Sequence, residues 1–380
     1  GSRSSFAHVI PLLDEEGRQI RPGDDPAMPF SIKRTCGDCH SYDVIERGWH
    51  FNAAEPNVPA GRPGQPWIYV DAQTGTQIPL TYRNWPGTYR PGQVGLTYRQ
   101  FVKLFGRQMP GGGPGELESD DPDEMMREMV SGMLEVNCMA CHNASRRQDQ
   151  AEYALQIGRE NFRWAATAAC GVASVSGSAK DMPDTWDYLM PMVSDVPELR
   201  PPAVVYRADA FDAKGHVFFD LVTRIPTERC YFCHSNADVG GPTDEKWMAD
   251  EDVHLAAGMK CVDCHRNGMG HDIVRGYEGE QKNSSNPLAG SLSCRACHLG
   301  DDSSHKGAVG RMGAPVPEHK GIPPEHFDKL ACTACHAGPP PDGQTHLTKT
   351  ARAHGLGTHN VNKADEALPH ILTPMFVRPV

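Results

Sequence analysis

A five-residue motif, Cys-x-x-Cys-His, occurs six times in this 380-residue chain and constrains its fold more than any other feature. The copies, numbered 1 to 6 along the chain, begin at residues 36, 138, 230, 261, 294 and 332. Twelve of the thirteen cysteines belong to these motifs, and Cys170 alone lies outside them. Whatever the motif binds must therefore occupy nearly all of the thiols.

The motif is the attachment signal for c-type haem. Its two thiols form thioether bonds to the porphyrin, and the following His becomes the proximal ligand of the iron. A zinc site or a redox-active dithiol is the alternative for a single Cys-x-x-Cys, but neither requires a His after every copy. We therefore predict six haem c groups. Their attachment residues are Cys36, Cys39, Cys138, Cys141, Cys230, Cys233, Cys261, Cys264, Cys294, Cys297, Cys332 and Cys335, and their proximal ligands are His40, His142, His234, His265, His298 and His336.

The composition agrees with an interior that is filled by cofactors. Hydrophobic residues make up 39% of the chain, which also contains 38 Gly and 32 Pro, a poor composition for large protein cores. A haem is a large, mostly apolar plate, and burying apolar surface is the main driving force of folding. With motifs from Cys36 to His336, the chain resembles multihaem c-type cytochromes with six haems. The resemblance implies mostly irregular backbone, with short α-helices and a few β-hairpins wrapped around six haems.

The motifs are unevenly spaced. Motifs 3 to 6 lie between Cys230 and His336, whereas long insertions follow motifs 1 and 2. A short connecting peptide limits how far apart two haems can be. We therefore predict an N-terminal dihaem region, residues 1–225, packed against a C-terminal tetrahaem region and tail, residues 226–380.

Four local elements are predicted in the insertions. β-Formers around a Thr-Gly turn favour a hairpin over residues 67–82, and a similar pattern favours a hairpin over 204–219 with its turn at 212–215. An acidic start with Pro122 predicts a helix over 119–134, whose apolar face includes Met125 and Met129. Residues 148–169 are predicted to be helical.

Each iron needs a sixth ligand if every haem is six-coordinate, and the twelve His outside the motifs are twice the six required. A His close to one motif reaches a neighbouring haem more easily than the far side of its own. We therefore expect mostly bis-His ligation and low potentials. The predicted distal ligands are His50, His254, His271, His319, His326 and His354, with His8 and His359 as reserves and His305 as a further option.

Cys170 lies in a run of small residues. It is either an axial thiolate, an intermolecular link or a buried small apolar residue, and the last is favoured because free Cys is among the most buried residue types.

The formal net charge of −11 argues against a nucleic-acid partner. The acidity suits a redox partner with a cationic patch, or serves solubility alone. No run of residues approaches the length of a transmembrane segment. Haem attachment of this type resembles bacterial systems outside the cytoplasmic membrane, so we expect a periplasmic or extracellular protein exported by a signal peptide that has been removed.

The leading functional hypothesis is electron transfer along a chain of six haems, between a redox partner and an extracellular or membrane-bound acceptor, with no catalytic side chain. The alternative is a multihaem reductase similar to those acting on nitrite, hydroxylamine or tetrathionate, with one open haem site. A third hypothesis concerns assembly: the chain is a subunit of a filament or of a larger electron-transfer complex.

Overall fold

A computed structural model gives the fold of this chain. It describes residues 8–48, 50–51, 67–71, 73–81, 87–106, 120–145, 147–186, 196, 199–227, 229–230, 236–239, 253–274, 293–299, 313–316, 318–336, 347–350 and 371–374. Within these ranges, no helix combines the length and apolar character needed to cross a membrane.

The helices are short, and several coincide with the haem motifs. They are α1 Ile32–Gly37, α2 Tyr42–Ile45, α3 Tyr98–Phe105, α4 Pro122–Ser131, α5 Cys138–His142, α6 Gln150–Gly158, α7 Ala165–Ala169, α8 Val253–Ala256, α9 Cys261–Cys264, α10 Cys294–His298, α11 Pro324–Lys329 and α12 Thr333–His336. Helices of four to six residues are far below the length that is stable in isolation. Their stability must come from what packs against them.

The strands form small antiparallel sheets. They are β1 Val9–Pro11, β2 Trp67–Val70, β3 Gln77–Leu80, β4 Ala173–Ser176, β5 Ala203–Tyr206, β6 His216–Phe218, β7 Asn236–Val239, β8 Leu347–Thr350 and β9 Ile371–Pro374. The pairs are β1 with β6, β2 with β3, and β4 with β5, while β7, β8 and β9 form a three-stranded sheet. The predicted combination of short helices and small strands is confirmed.

One of the two predicted hairpins is correct. Strands β2 and β3 pair in register from Trp67 opposite Leu80 to Val70 opposite Gln77. The hairpin over 204–219 forms only next to its turn, where Phe211 and Val217 make an antiparallel bridge. Its two strands do not pair with each other, because β5 pairs with β4 and β6 pairs with β1. The turn at 212–215 does form, but each strand finds a partner far away in sequence, and local patterns do not reveal such partners.

The single helix predicted over 148–169 is also wrong, since the structure has α6 and α7 with a break at Glu160. The Glu160 amide donates to Ile157 O at 3.0 Å, and the Asn161 amide donates to Gln156 O at 2.9 Å. These are the two hydrogen bonds of a Schellman C-cap, which places its terminal residue in the left-handed region. Glu160 has a φ of 58°, where glycine is usual, so the helix ends at a residue that the sequence does not mark.

Helix α4 lies within the predicted range 119–134 and is capped by Asp121, whose carboxylate accepts the Asp123 amide. Val130 and Leu134 are buried, but Met125 and Met129 are about half exposed. Packing of this apolar face against the haem of motif 2 stays a prediction, because the methionines do not enter the protein core that the structure describes.

The buried apolar side chains are concentrated in the N-terminal part of the chain. The largest cluster extends from Leu12 to Phe219, and two smaller ones centre on Tyr153 and on Phe101. Beyond residue 225, the buried residues within the described ranges are Arg229, Asp263, Val274 and Ala296. The C-terminal part thus has very little protein core of its own among the residues described.

Candidate haem centres

The local fold of the motifs explains their spacing. In motif 1 the His40 amide donates to Cys36 O at 3.0 Å, and in motif 4 the His265 amide donates to Cys261 O at 2.8 Å. Each of these two motifs therefore forms one helical turn. Residues three and four apart lie on the same face of a helix, so both thiols and the imidazole of a motif can face the same haem.

Four of the motif histidines each lie beside a second histidine. The centres of the paired rings are 5.9 to 6.4 Å apart. The pairs are His40 with His8 at 6.4 Å, His142 with His271 at 6.1 Å, His298 with His254 at 6.1 Å, and His336 with His319 at 5.9 Å.

This separation fits two imidazoles that bind one metal ion from opposite sides. A metal–imidazole bond is roughly 2 Å long, and with roughly 1 Å from each nitrogen to the centre of its ring, two such ligands are about 6 Å apart between centres. Direct ring stacking can also give such distances. However, four chance stacks that each include a motif histidine would require an independent explanation for each pair.

Hydrogen bonds at Nδ1 leave Nε2 of three motif histidines available to bind a metal. The Nδ1 atoms of His142, His265 and His298 lie 2.8, 2.9 and 2.9 Å from the backbone carbonyl oxygens of Val222, Val274 and Pro315. A carbonyl only accepts, so Nδ1 carries the proton and donates it. Nε2 is then the nitrogen with a free lone pair, in the arrangement that metal-binding histidines commonly adopt.

The surroundings of the motifs fit a large apolar group with polar edges. Exposed apolar side chains cluster around motifs 4 and 5, where Val253, Met269 and Val316 are 73%, 74% and 56% exposed. Next to motif 2, Asn137 is 1% exposed, yet neither of its side-chain amide atoms has a hydrogen-bond partner. Buried polar atoms are normally satisfied. The residues present therefore fit a haem, which brings both an apolar face and polar substituents.

Motifs 1 and 2 lie against each other. The thiols of Cys36 and Cys138 are in hydrogen-bond contact, and this contact, together with burial, raises the pKa of Cys138 well above its ordinary value. Burial lowers the pKa of the His142 imidazole, and the nearby His271, His40 and His8 lower it further. The two histidine pairs that include His40 and His142 are thus close neighbours.

Three of the six predicted distal histidines, His254, His271 and His319, lie in these pairs. His50 is exposed beside Phe51, with ring centres 6.4 Å apart. His326 is exposed on α11, and among the residues described it is His319 that lies beside His336. His234, Cys233 and His354 lie outside the described residues, as do His305 and His359.

The fourth partner, His8, was only a reserve in the sequence prediction because no motif is near it in sequence. It precedes β1, and its carbonyl accepts the Phe219 amide at 3.0 Å, just beyond β6. The pairing of β1 with β6 therefore fixes its position. For His265, the described part of the chain contains no second imidazole at a comparable distance.

Cys170 is a buried residue, 3% exposed, in the largest apolar cluster. Its Sγ lies 3.3 Å from Thr167 O. Burial raises the pKa of the thiol to about 12, so it stays protonated and unreactive at neutral pH.

Residues 247–337 match the family described as cytochrome c7 and related cytochrome c. The matched segment contains motifs 4, 5 and 6 and the pairs His254–His298 and His319–His336. No curated protein and no solved structure matches the chain. The family match supports a c-type cytochrome with a multihaem electron-transfer role, and the similarity covers residues 247–337.

Proposed function

We propose that this chain is an electron-transfer protein that carries six covalently attached c-type haems. The observation that carries the proposal is the set of four histidine pairs, each joining a motif histidine to a second imidazole at 5.9 to 6.4 Å. When bound, each haem supplies a one-electron couple at its iron. The side chains attach, ligate and enclose it.

The chain's residues hold their imidazoles in place for this task. Carbonyl acceptors fix the Nδ1 protons of His142, His265 and His298, which orients the rings and keeps Nε2 available as a ligand. Two axial histidine ligands per iron leave no open position for a substrate. This favours electron transfer without substrate chemistry. Bis-His ligation also favours lower potentials than Met–His ligation.

The haems of motifs 3 and 4, with His234 and His265 as proximal ligands, each need one distal ligand, and we propose that two of His50, His326 and His354 supply them. We propose residues 1–225 and 226–380 as the dihaem and tetrahaem regions.

Location outside the cytoplasmic membrane follows from the attachment chemistry. Redox proteins are the proposed partners, and self-association into a filament or membership of a larger complex is the proposed assembly, which mass photometry of the purified holoprotein tests.

The direct test of function is a redox titration of the holoprotein produced with a haem-attachment system. We expect a chain mass increased by six haems, reversible reduction of every haem at low potential, and no binding of CO by the reduced protein. A chain purified with zinc or without haem would overturn the proposal. CO binding, or high-spin ferric iron in the unmodified protein, would instead favour the reductase with one open haem site.

A further inference from the structure

We propose that residues 253–274, hereafter the junction segment, connect the N-terminal and C-terminal haems by supplying distal ligands to two haems other than the one attached at motif 4. His271 completes the haem of motif 2, and His254 completes the haem of motif 5. The haem of motif 4 then stands between them in the order of electron transfer. This inference rests on the proposed function.

The two histidines that flank motif 4 pair with different motifs, one earlier and one later in the chain. His254 precedes Cys261 on α8 and pairs with His298 of motif 5 at 6.1 Å. His271 follows His265 and pairs with His142 of motif 2, also at 6.1 Å. One short segment therefore touches histidines of two other motifs, one in each of the proposed regions.

Internal hydrogen bonds close a loop at the end of the junction segment. His265 Nδ1 donates to Val274 O at 2.9 Å, and the Val274 amide donates to Arg266 O at 2.8 Å. Val274 is fully buried. Six residues separate His265 from His271, so their Cα atoms could be no more than roughly 20 Å apart even if the chain were extended, and the closed loop brings them nearer.

An ion pair anchors motif 4 to the N-terminal part of the chain. The Arg224 guanidinium donates to both carboxylate oxygens of Asp263, at 3.0 and 2.6 Å. Such bidentate pairs fix geometry as well as adding energy. Asp263 lies inside the motif, between Cys261 and Cys264, so the pair positions the attachment site itself.

The loop after motif 1 packs against His271. A Cβ atom added at Gly48 would lie 2.5 Å from His271 Cβ and 3.0 Å from Gly270 O. The Phe51 ring lies 6.1 Å from the His271 ring, and His271 Nδ1 donates to Met269 O at 3.0 Å. The loop after motif 1, His142 of motif 2 and the segment after motif 4 thus meet at one imidazole, and Gly48 is a positioning residue for it.

The test compares His271→Ala and His254→Ala with the control His216→Ala in the full holoprotein. His216 lies on β6 and pairs with Asp212, outside the four histidine pairs. We expect every variant to retain six haems by intact mass, while each of the first two gains one high-spin ferric haem by electron paramagnetic resonance. Free imidazole should restore the low-spin state. If both variants keep six attached haems and all of them remain low-spin, the junction is overturned but the electron-transfer function is not. A mass that shows no attached haem would overturn the electron-transfer function.

Double variants identify the iron that each histidine binds. If His142 and His271 bind one iron, His142→Met/His271→Met alters a single haem signal, whereas two altered signals mean two different irons. The same comparison applies to His298→Met/His254→Met. If a Met variant does not accumulate, a second experiment uses the Cys138→Ala/Cys141→Ala background, which lacks the haem of motif 2. In that background, His271→Ala should add no high-spin iron. An added high-spin signal there would contradict the assignment.

Discussion

The imidazoles of His142 and His271 lie side by side, with ring centres 6.1 Å apart and planes inclined by 73°. Both rings donate from Nδ1 to a backbone carbonyl, of Val222 and Met269 respectively, so both offer Nε2 as a ligand. One residue belongs to motif 2 and the other follows motif 4. The pair therefore links the two halves of the chain through a single metal centre in our account.

The histidine pairs fall into two geometric classes, which we expect to be visible in spectra. The His8 and His40 rings are within 13° of parallel, whereas the other three pairs are inclined by 62° to 73°. Parallel and perpendicular axial imidazoles split the iron d orbitals differently. We predict two kinds of low-spin ferric signal, and His8→Ala should remove the near-parallel kind and create one high-spin haem. Persistence of that signal in His8→Ala would contradict the pairing of His8 with His40.

Gly48→Ala is predicted to disturb the haem of motif 2 without replacing either of its proposed ligands. The added Cβ would meet His271 Cβ at 2.5 Å and Ile45 O at 2.9 Å, so the loop after motif 1 or His271 must shift. We expect a fraction of one haem to become high-spin and its potential to change. Gly23→Ala is the matched control, since no atom lies within 4 Å of its added Cβ. Identical spectra for the two variants would contradict the role of Gly48.

Glu160 is predicted to stabilise the N-terminal part of the chain. Burial would raise the pKa of its carboxyl, but the hydrogen bond from Lys103 and the charges of Arg127 and Arg99 more than compensate and hold it below its ordinary value. The carboxylate lies 2.7 Å from Lys103 Nζ and 3.5 Å from Arg99, which is itself buried. Because removing one partner leaves buried charge uncompensated, Glu160→Gln should lower the free energy of unfolding by about 3 kcal/mol.

The pH dependence of this effect has a definite sign. A carboxyl whose pKa is lower in the folded state adds stability that is complete above the unfolded pKa, about 4.3, and is lost as the pH falls through the folded pKa. Denaturant unfolding followed by circular dichroism should show a smaller acid loss in Glu160→Gln than in the parent. Asp209→Asn, which breaks the exposed pair with Arg207, is the control and should cost less than about 1 kcal/mol. Equal costs for the two variants would contradict the prediction.

Without haem, the two parts of the chain should differ in order. The three apolar clusters lie between Leu12 and Phe219, whereas residues 253–336 bury few side chains where the structure describes them. In the haem-free chain we expect hydrogen exchange to remain slow in α6 and α7 and to become fast in residues 253–274 and 318–336. Equal protection of both parts would show that the C-terminal part folds without the cofactor.

Cys170 provides a count of the attached haems. Six haems consume twelve thiols and leave one, and that one is buried with its pKa raised to about 12. Alkylation should therefore label no thiol in the native holoprotein and one thiol in the unfolded holoprotein, as measured by intact mass. Each haem that fails to attach would add two labelled thiols. Labelling of the native protein at Cys170 would contradict its burial.

The sequence predicted local features better than long-range ones. The β2–β3 hairpin follows from neighbouring residues, and it is present. The pairing of β4 with β5 joins segments whose partners no local pattern indicates, and Glu160, where the helix breaks, forms ion pairs with Lys103, Arg99 and Arg127 from other helices. For the same reason proximity to a motif drew attention to His254 and His271, whereas His8 reaches His40 through a strand pairing that only the fold reveals.

The central claim is that the paired imidazoles are the axial ligands of covalently attached haems. Quantitative electron paramagnetic resonance of the ferric holoprotein tests it most directly, with the spins counted against total iron. We predict six irons per chain, all low-spin, in at least two signal classes that reflect the near-parallel and the inclined histidine pairs. Three or more high-spin irons per chain would contradict the account, because only the two irons of motifs 3 and 4 lie outside the four pairs.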